Sequence, residues 1–126
     1  MTLRYRDKSG GITNRSLKAA KNNLQKIGRI SNIKGYRFRS TRNNINTTHE
    51  AVLVTGEKGT ARFEGFLWGY AGEGPRGLVQ LLKACGFTNG AAYTIAFCCE
   101  RKEDVGVDWE INFPVSIYTN PKEIVV

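Results

Sequence analysis

Apolar side chains recur at helical spacing in two parts of the chain. The first set predicts a helix from Thr13, its capping residue, to about Ile27, with Gly28 as the stop signal. Its buried stripe consists of Leu17, Ala20, Leu24 and Ile27. The second set predicts a helix from Pro75 to about Cys85, again followed by a glycine stop. Its buried face consists of Leu78, Leu81, Leu82 and Cys85.

Alternating apolar and polar positions predict strands in the first half of the chain. In residues 36–40 we expect Tyr36 and Phe38 to face inward, and Arg37 and Arg39 to face outward. Residues 41–49 are polar and are predicted to form a loop. Residues 51–55 and 60–70 are predicted to pair as a hairpin around 56–59. On its second strand Phe66, Trp68 and Tyr70 share one face. We expect them to be core residues, with Tyr70 the nearest to solvent.

The second half of the chain adds further strands. Residues 93–99 are strongly apolar and are predicted as a buried strand, and 107–113 alternate like a strand with one wet face. Pro114 is expected to bend this strand, and 115–118 to continue it at the sheet edge. The elements together predict an α+β fold: a single-layer antiparallel or mixed sheet of about five strands, with two helices on one face.

Length and composition limit the class of protein. At 126 residues the chain fits a single domain, 1–126. No apolar run reaches the roughly 18 residues of a membrane span, and the N-terminus lacks the apolar segment of a secretory signal. We therefore expect no membrane association and a cytoplasmic location. Three cysteines without metal-ligand spacing are expected to be reduced thiols.

Charge is distributed unevenly along the chain, whose net charge is +8. Residues 1–42 hold twelve Lys or Arg and one acid, a net charge of +11, whereas 43–126 hold seven basic and ten acidic residues, a net charge of −3. A surface that only needs to be soluble mixes both signs. A cluster of one sign is typical of proteins that bind phosphates, so the basic segment 1–42 predicts a phosphate-rich partner, above all nucleic acid.

The predicted phosphate contacts come from the helix and strand of the basic segment. They are Arg15, Lys18, Lys21, Lys26, Arg29, Lys34, Arg37, Arg39 and Arg42. Contacts to phosphate give affinity and orientation without reading the base sequence. No motif for base recognition is present, so DNA and RNA both remain open. An acidic protein surface, as met by an inhibitor of a nucleic-acid enzyme, is a less favoured partner, and the oligomeric state is left open.

A glycine-rich loop, residues 69–77, separates a predicted strand from the second helix. Residues 72–77 match GxGxxG, but a hairpin before the loop and the short chain after it disfavour a dinucleotide-binding fold. A glycine turn before a helix still offers free N–H groups to an anion. The alternative function is therefore a protein, of regulatory or phage counter-defence type, that binds or sequesters a small anionic nucleotide, cyclic or signalling. Its candidate residues are Tyr70, Gly72, Gly74, Arg76 and Gly77. A tight structural corner is the competing explanation.

Catalytic chemistry has little support in the sequence. His49 is the only histidine, and the cysteines lack ligand spacing, so we predict no metal, no cofactor and no catalytic residue. Glu100, Arg101 and Lys102 resemble the Glu-x-Lys half of a PD-(D/E)xK nuclease site. That resemblance covers three residues and implies carboxylates on Mg²⁺ and a lysine that stabilises charge. A metal-dependent nuclease is thus a less favoured alternative to a non-enzymatic binding protein.

Overall fold

A computed structural model describes residues 2–7, 10–102 and 104–113 of the chain. The described elements follow in this order: β1 (Leu3–Arg6), α1 (Thr13–Asn23), a 3₁₀ turn (Leu24–Ile27), β2 (Ile30–Arg42), β3 (Ile45–Gly56), β4 (Gly59–Phe63), α2 (Glu73–Ala84), α3 (Asn89–Cys98) and β5 (Gly106–Asn112). The predicted bend at Pro114 and edge strand at 115–118 lie outside the described residues. No helix in the described part of the chain is long and apolar enough to cross a membrane.

The strands form one mixed sheet in the order β1-β4-β3-β2-β5. The edge strand β1 runs parallel to β4, and every other neighbouring pair is antiparallel. The α+β class and the sheet of five strands are therefore confirmed. The described residues form three α-helices where the sequence predicted two.

The helices pack on one face of the sheet, which we call the covered face. Strand residues such as Ile33, Val52 and Phe63 belong to the same apolar cluster as Leu17 of α1 and Leu81 of α2. Trp68 lies edge-on to Trp109 of β5, with ring centroids 5.8 Å apart. Full burial of side chains of this size contributes about 1.5–3 kcal/mol each, so this face carries most of the apolar stabilisation. The opposite face of the sheet is called the open face below.

Both predicted helices are confirmed, with changes at their ends. α1 ends at Asn23 and continues as the 3₁₀ turn to Ile27, and α2 begins at Glu73 rather than at Pro75. Thr13 is the first residue of α1 rather than its cap, and its Oγ1 donates to the carbonyl oxygen of Gly65 at 2.9 Å. The predicted glycine stop of α2 is present at Gly86, whose φ is 104°. The N–H of Gly86 donates to the Lys83 carbonyl, and the N–H of Phe87 donates to that of Leu82. These two bonds are the pairing of a Schellman motif.

The predicted strand at 93–99 is wrong, because residues 93–98 belong to α3 and Cys99 follows its last turn. The side chain of Thr88 caps this helix by accepting a hydrogen bond from the N–H of Ala91. Ala92 and Ala96 lie four residues apart and are fully buried, which lets the helix approach α2 closely. A short apolar run fits a buried helix as well as a buried strand, and here the cap and the alanine spacing decide between them.

The predicted loop at 41–49 is also wrong, because β2 and β3 continue through it as a hairpin. Asn43 and Asn44 form the two-residue turn, with φ of 53° and 63°. Asparagine tolerates this left-handed conformation better than most residues, and such turns match the twist of paired strands. Residues 39–48 are exposed throughout. They form a hairpin arm, the part of β2 and β3 that the helices do not cover.

The predicted burial of the aromatic residues at 66–70 is confirmed, although they do not lie on a strand. β4 ends at Phe63, and Phe66 and Trp68 follow in irregular chain with no exposed surface. Tyr70 is 37% exposed and is the one that reaches solvent, as expected.

Candidate functional site

The cations of α1 lie on the helix surface that points away from the core. Arg15, Lys18 and Lys21 are exposed, and so is Lys26 in the 3₁₀ turn. The opposite side of α1 buries Ser16, Leu17 and Ala20 against the body of the protein. None of these four cations forms an ion pair with a carboxylate within residues 2–7, 10–102 and 104–113.

Two further cations adjoin Lys26 at the β1 edge of the sheet. Arg4 of β1 and Lys26 both line a cavity of about 190 Å³ between β1 and the 3₁₀ turn. Lys58 joins them, because its N–H donates to the carbonyl of Ile27 and its carbonyl accepts from the N–H of Leu3, both at 2.8 Å. All three side chains are exposed. We call Arg4, Lys26 and Lys58 the cationic edge. Neither Arg4 nor Lys58 was among the predicted contacts.

The remaining predicted cations are spread over other parts of the structure. Arg29 lies 3.9 Å from a carboxylate oxygen of Glu57, which also accepts from the Arg29 backbone N–H. Lys34 is half-buried, with its Nζ 5.8 Å from the centre of the Tyr36 ring. Arg39 and Arg42 are exposed on the hairpin arm.

Arg37 departs from its predicted position, because it faces the covered side of the sheet and is only 5% exposed. It donates to Oδ2 of Asp108 at 2.8 Å and lies 3.7 Å from Glu50. Glu50 in turn accepts from Arg101, and Asp108 accepts from the indole N–H of Trp68 at 2.9 Å. These residues form what we call the buried ion-pair network: Arg37 and Asp108 are buried at its centre, Glu50 is half-buried, and the exposed Arg101 closes it at the surface. We therefore leave Arg37 out of the exposed cationic surface.

The sequence predicted the alternation along β2 correctly, but it assigned Arg37 to the wrong face of the sheet. Arg37 shares its side of β2 with Ile33 and Gly35, which pair with core residues of β3. A Cβ on Gly35 would lie 2.2 Å from the Trp109 indole nitrogen, so the glycine makes room for that ring. Tyr36 and Phe38, which were expected to face the core, lie on the open face and are half-buried.

The open face carries three rings and two cations that contact them. The Phe38 ring lies 5.6 Å from Tyr36 and 5.2 Å from His49, centre to centre. His49 Nε2 is hydrogen-bonded to Ser40 at 2.8 Å. The Arg62 guanidinium lies 5.0 Å from the Phe38 ring centre, and Lys34 reaches the Tyr36 ring. The sequence did not predict His49 or Arg62 as site residues. The turn at Asn43 and Asn44 could have predicted that Phe38 pairs with His49.

The glycine-rich loop packs tightly around Tyr70. α2 begins at Glu73, and a Cβ on Gly72 would lie 2.6 Å from the Tyr70 ring. Gly74 has Leu67 and the Tyr70 hydroxyl as neighbours, and Gly77 has Thr13 and Phe66. Of these loop glycines only Gly69 has a left-handed φ, 85°. Glycine here mainly satisfies close packing. Arg76 is exposed, and the cation that lies over the Tyr70 ring is Arg101, at 5.6 Å.

The cysteines and the carboxylates differ in burial, which decides whether they could take part in catalysis or metal binding. Burial raises the pKa of Cys85 to about 12, and burial followed by the Asp108 charge raises the pKa of Cys99. Cys98 is exposed at the end of α3. Among the described residues, no three His, Cys, Asp or Glu side chains are grouped so that they could hold a metal ion. Glu100 and Lys102 are both exposed, and Nζ of Lys102 lies 3.4 Å from the carbonyl of Val107.

The fold and the site define an α+β protein with a helix-covered sheet face and an open face that carries aromatic and basic side chains. Comparisons of the chain with protein-family models, with curated proteins and with solved structures found no match.

Proposed function

We propose that this protein binds nucleic acid without catalysing a reaction on it. The contacts are made by the exposed cations of α1, which are Arg15, Lys18 and Lys21, and by the cationic edge. One observation carries the proposal: these side chains are exposed and have no carboxylate partner among the described residues. Cations that repel one another and lack acidic neighbours are stabilised by a polyanion, which releases its counterions on binding.

The position of the acidic residues supports the same conclusion. Asp7, Glu50 and Asp108 are turned into the structure, where they accept hydrogen bonds from Ser16, Arg101 and Arg37. Their charges are used within the fold, where Asp108 and Glu50 neutralise the buried Arg37, and the exterior of α1 is left uncompensated. A protein that needed charge only for solubility would have no reason to separate the two signs in this way.

Salt dependence of duplex binding tests the proposal. We expect the affinity for a duplex of about 20 base pairs to fall by orders of magnitude between about 50 and 200 mM salt, if six or more phosphates are contacted. A double variant, Arg15→Gln with Lys18→Gln, should reduce the slope of log K against log salt by roughly 1.8, which is about 0.9 for each lost contact. Fluorescence anisotropy at several salt concentrations gives the slope.

A matched control distinguishes binding at the α1 surface from an effect of net charge alone. Arg76→Gln with Lys83→Gln removes one arginine and one lysine from exposed positions of α2. This variant has the same net charge as the α1 variant, and we expect it to keep the wild-type slope. A wild-type affinity that does not change with salt would contradict the proposal, and so would equal losses in the two double variants.

The control also tests the alternative ligand, a small anionic nucleotide at residues 69–77. That hypothesis predicts stoichiometric nucleotide binding with an increase in melting temperature, both abolished by Arg76→Gln. The free N–H groups at the start of α2 and the exposed Arg76 support it, whereas the Glu73 carboxylate in the first turn opposes an anion there. We therefore favour the nucleic acid.

A further inference from the structure

The rings of the open face do not belong to the apolar core. Tyr36 and Phe38 are absent from the cluster of buried residues, and neither is among the described side chains that pack against that cluster. Both rings are half-buried, as is His49. Large aromatic side chains on a sheet face away from the helices contribute little to the core, so they require another explanation.

The three rings form a continuous strip across two strands. Phe38 is directly paired with His49 of β3, and Tyr36 lies two residues away on the same side of β2. The Phe38 plane is inclined by 31° to Tyr36 and by 26° to His49, so the rings are roughly parallel. The strip is made of neighbouring, similarly oriented π-surfaces, which is the arrangement on which successive bases stack.

Cations cross the open face beside this strip. The strand register places Arg6, Arg62, Leu53, Lys34 and Glu110 in one row from β1 to β5. Three of these five side chains are basic. Two carboxylates accompany these cations: Glu64, 3.5 Å from both Arg6 and Arg62, and Glu110, the β5 member of the row, which accepts from Asn32. Arg4 stands on the same side of β1, with no carboxylate partner in the described part of the chain, and connects the row to the cationic edge.

We propose that the open face binds single-stranded nucleic acid, with bases stacked on Tyr36, Phe38 and His49 and phosphates held by Lys34, Arg62 and Arg4. This inference rests on the proposed function and specifies its ligand. A duplex keeps its base faces stacked on one another, so it offers no base to a flat strip of rings. A single strand can splay its bases onto the strip while its backbone follows the cations around the β1 edge.

The test compares a single strand with a duplex at one salt concentration. We expect an oligothymidylate of about 15 nucleotides to bind wild type more tightly than a 15-base-pair duplex. Phe38→Leu and Tyr36→Leu keep an apolar side chain but remove a ring. Each should weaken oligothymidylate binding by about 5- to 100-fold, from the usual contribution of stacking on one aromatic side chain, and should leave duplex affinity within about twofold.

Tyr93→Leu is the matched control, because it removes an exposed ring from another surface. Tyr93 is 48% exposed on α3 and is stacked on Phe97, with ring centres 5.0 Å apart. It should leave oligothymidylate affinity within about twofold of wild type. If a β2 variant lowers the melting temperature, His49→Gln replaces it, since it removes a ring of the strip from β3 and leaves β2 unchanged.

The outcomes separate the two proposals. If the single strand binds no better than the duplex and the ring variants match Tyr93→Leu, the open face is not the platform, while binding through α1 stands. If neither oligonucleotide binds at about 50 mM salt, where phosphate contacts are strongest, the nucleic-acid function itself is wrong.

Discussion

Each face of the sheet carries a strand arginine, but the surroundings of the two charges differ. On the covered face, Arg37 contacts the fully buried carboxylate of Asp108 at 2.8 Å and lies near Glu50. On the open face, Arg62 lies over Phe38 and reaches the partly exposed Glu64 at only 3.5 Å. Burying a charge is costly unless it is paired, whereas a surface pair is worth little. The carboxylates therefore stabilise the interior, and the outer cations stay available to a ligand.

The largest expected difference between interior and surface is in thiol reactivity. Only the thiolate attacks a disulfide reagent, and at pH 8 a pKa of about 12 leaves about one Cys85 thiol in ten thousand ionised. Cys98 is exposed and should react with such a reagent at least about a thousand-fold faster than Cys85. Spectrophotometric counting of released thiolate should show one fast thiol in the native protein and all three in denaturant.

The Cys98→Ser variant identifies the fast thiol. This variant should lose the fast phase and keep the slow ones. Because pH 8 lies below the raised pKa of Cys85, its thiolate fraction should rise about tenfold for each pH unit up to about pH 11. A fast phase that persists in Cys98→Ser would show that the interior is more open than the structure indicates.

The next largest effect concerns the buried ion-pair network. Arg37→Met leaves Asp108 without its closest cation, and we expect the free energy of unfolding to fall by about 3–5 kcal/mol. Urea unfolding followed by circular dichroism measures it. Arg39→Met makes the same substitution two residues further on, where the side chain is exposed, and should change the free energy by less than about 0.5 kcal/mol. Equal effects would mean that Arg37 is not held by the network.

Arg37 and Arg39 also show what the sequence could and could not predict. Alternation correctly separated Tyr36 and Phe38 from the arginines, but nothing local says which side the helices cover. The face depends on Asp108, 71 residues away, and on Trp109 lying across Gly35. From residue type we expected Tyr36 and Phe38 in the interior and Arg37 outside. Pairing with distant residues instead buries Arg37 and places the two rings on the open face.

Elements with a strong local signal were predicted well. The stripe of α1 and the Gly86 end of α2 each depend on neighbouring residues. The predicted alternation of β5 is wrong at its start, because the register shifts between Trp109 and Val107, so that Val107 is exposed and the Asp108 side chain is buried. α3 was mistaken for a strand, because an apolar run fits both and the decisive cap at Thr88 was overlooked. The hairpin arm is absent from the prediction because the polar composition of 41–49 indicates a loop, whereas Asn43 and Asn44 form a two-residue turn. For the same reason the sequence did not predict that His49 lies beside Phe38.

The smallest expected effect on the free energy of unfolding concerns two glycines, the packed Gly77 of the glycine-rich loop and the exposed Gly90. A Cβ on Gly77 would lie 2.4 Å from the Thr13 methyl group, where α1 and α2 meet, so Gly77→Ala should cost about 1–3 kcal/mol by overpacking. At Gly90, in the first turn of α3, a Cβ meets nothing within 4 Å. Gly90→Ala should therefore raise the unfolding free energy by about 0.5 kcal/mol. Urea unfolding of both variants compares the two glycines. If Gly77→Ala instead kept its stability and lost binding of a small nucleotide, the loop would be a ligand site and not a packed corner.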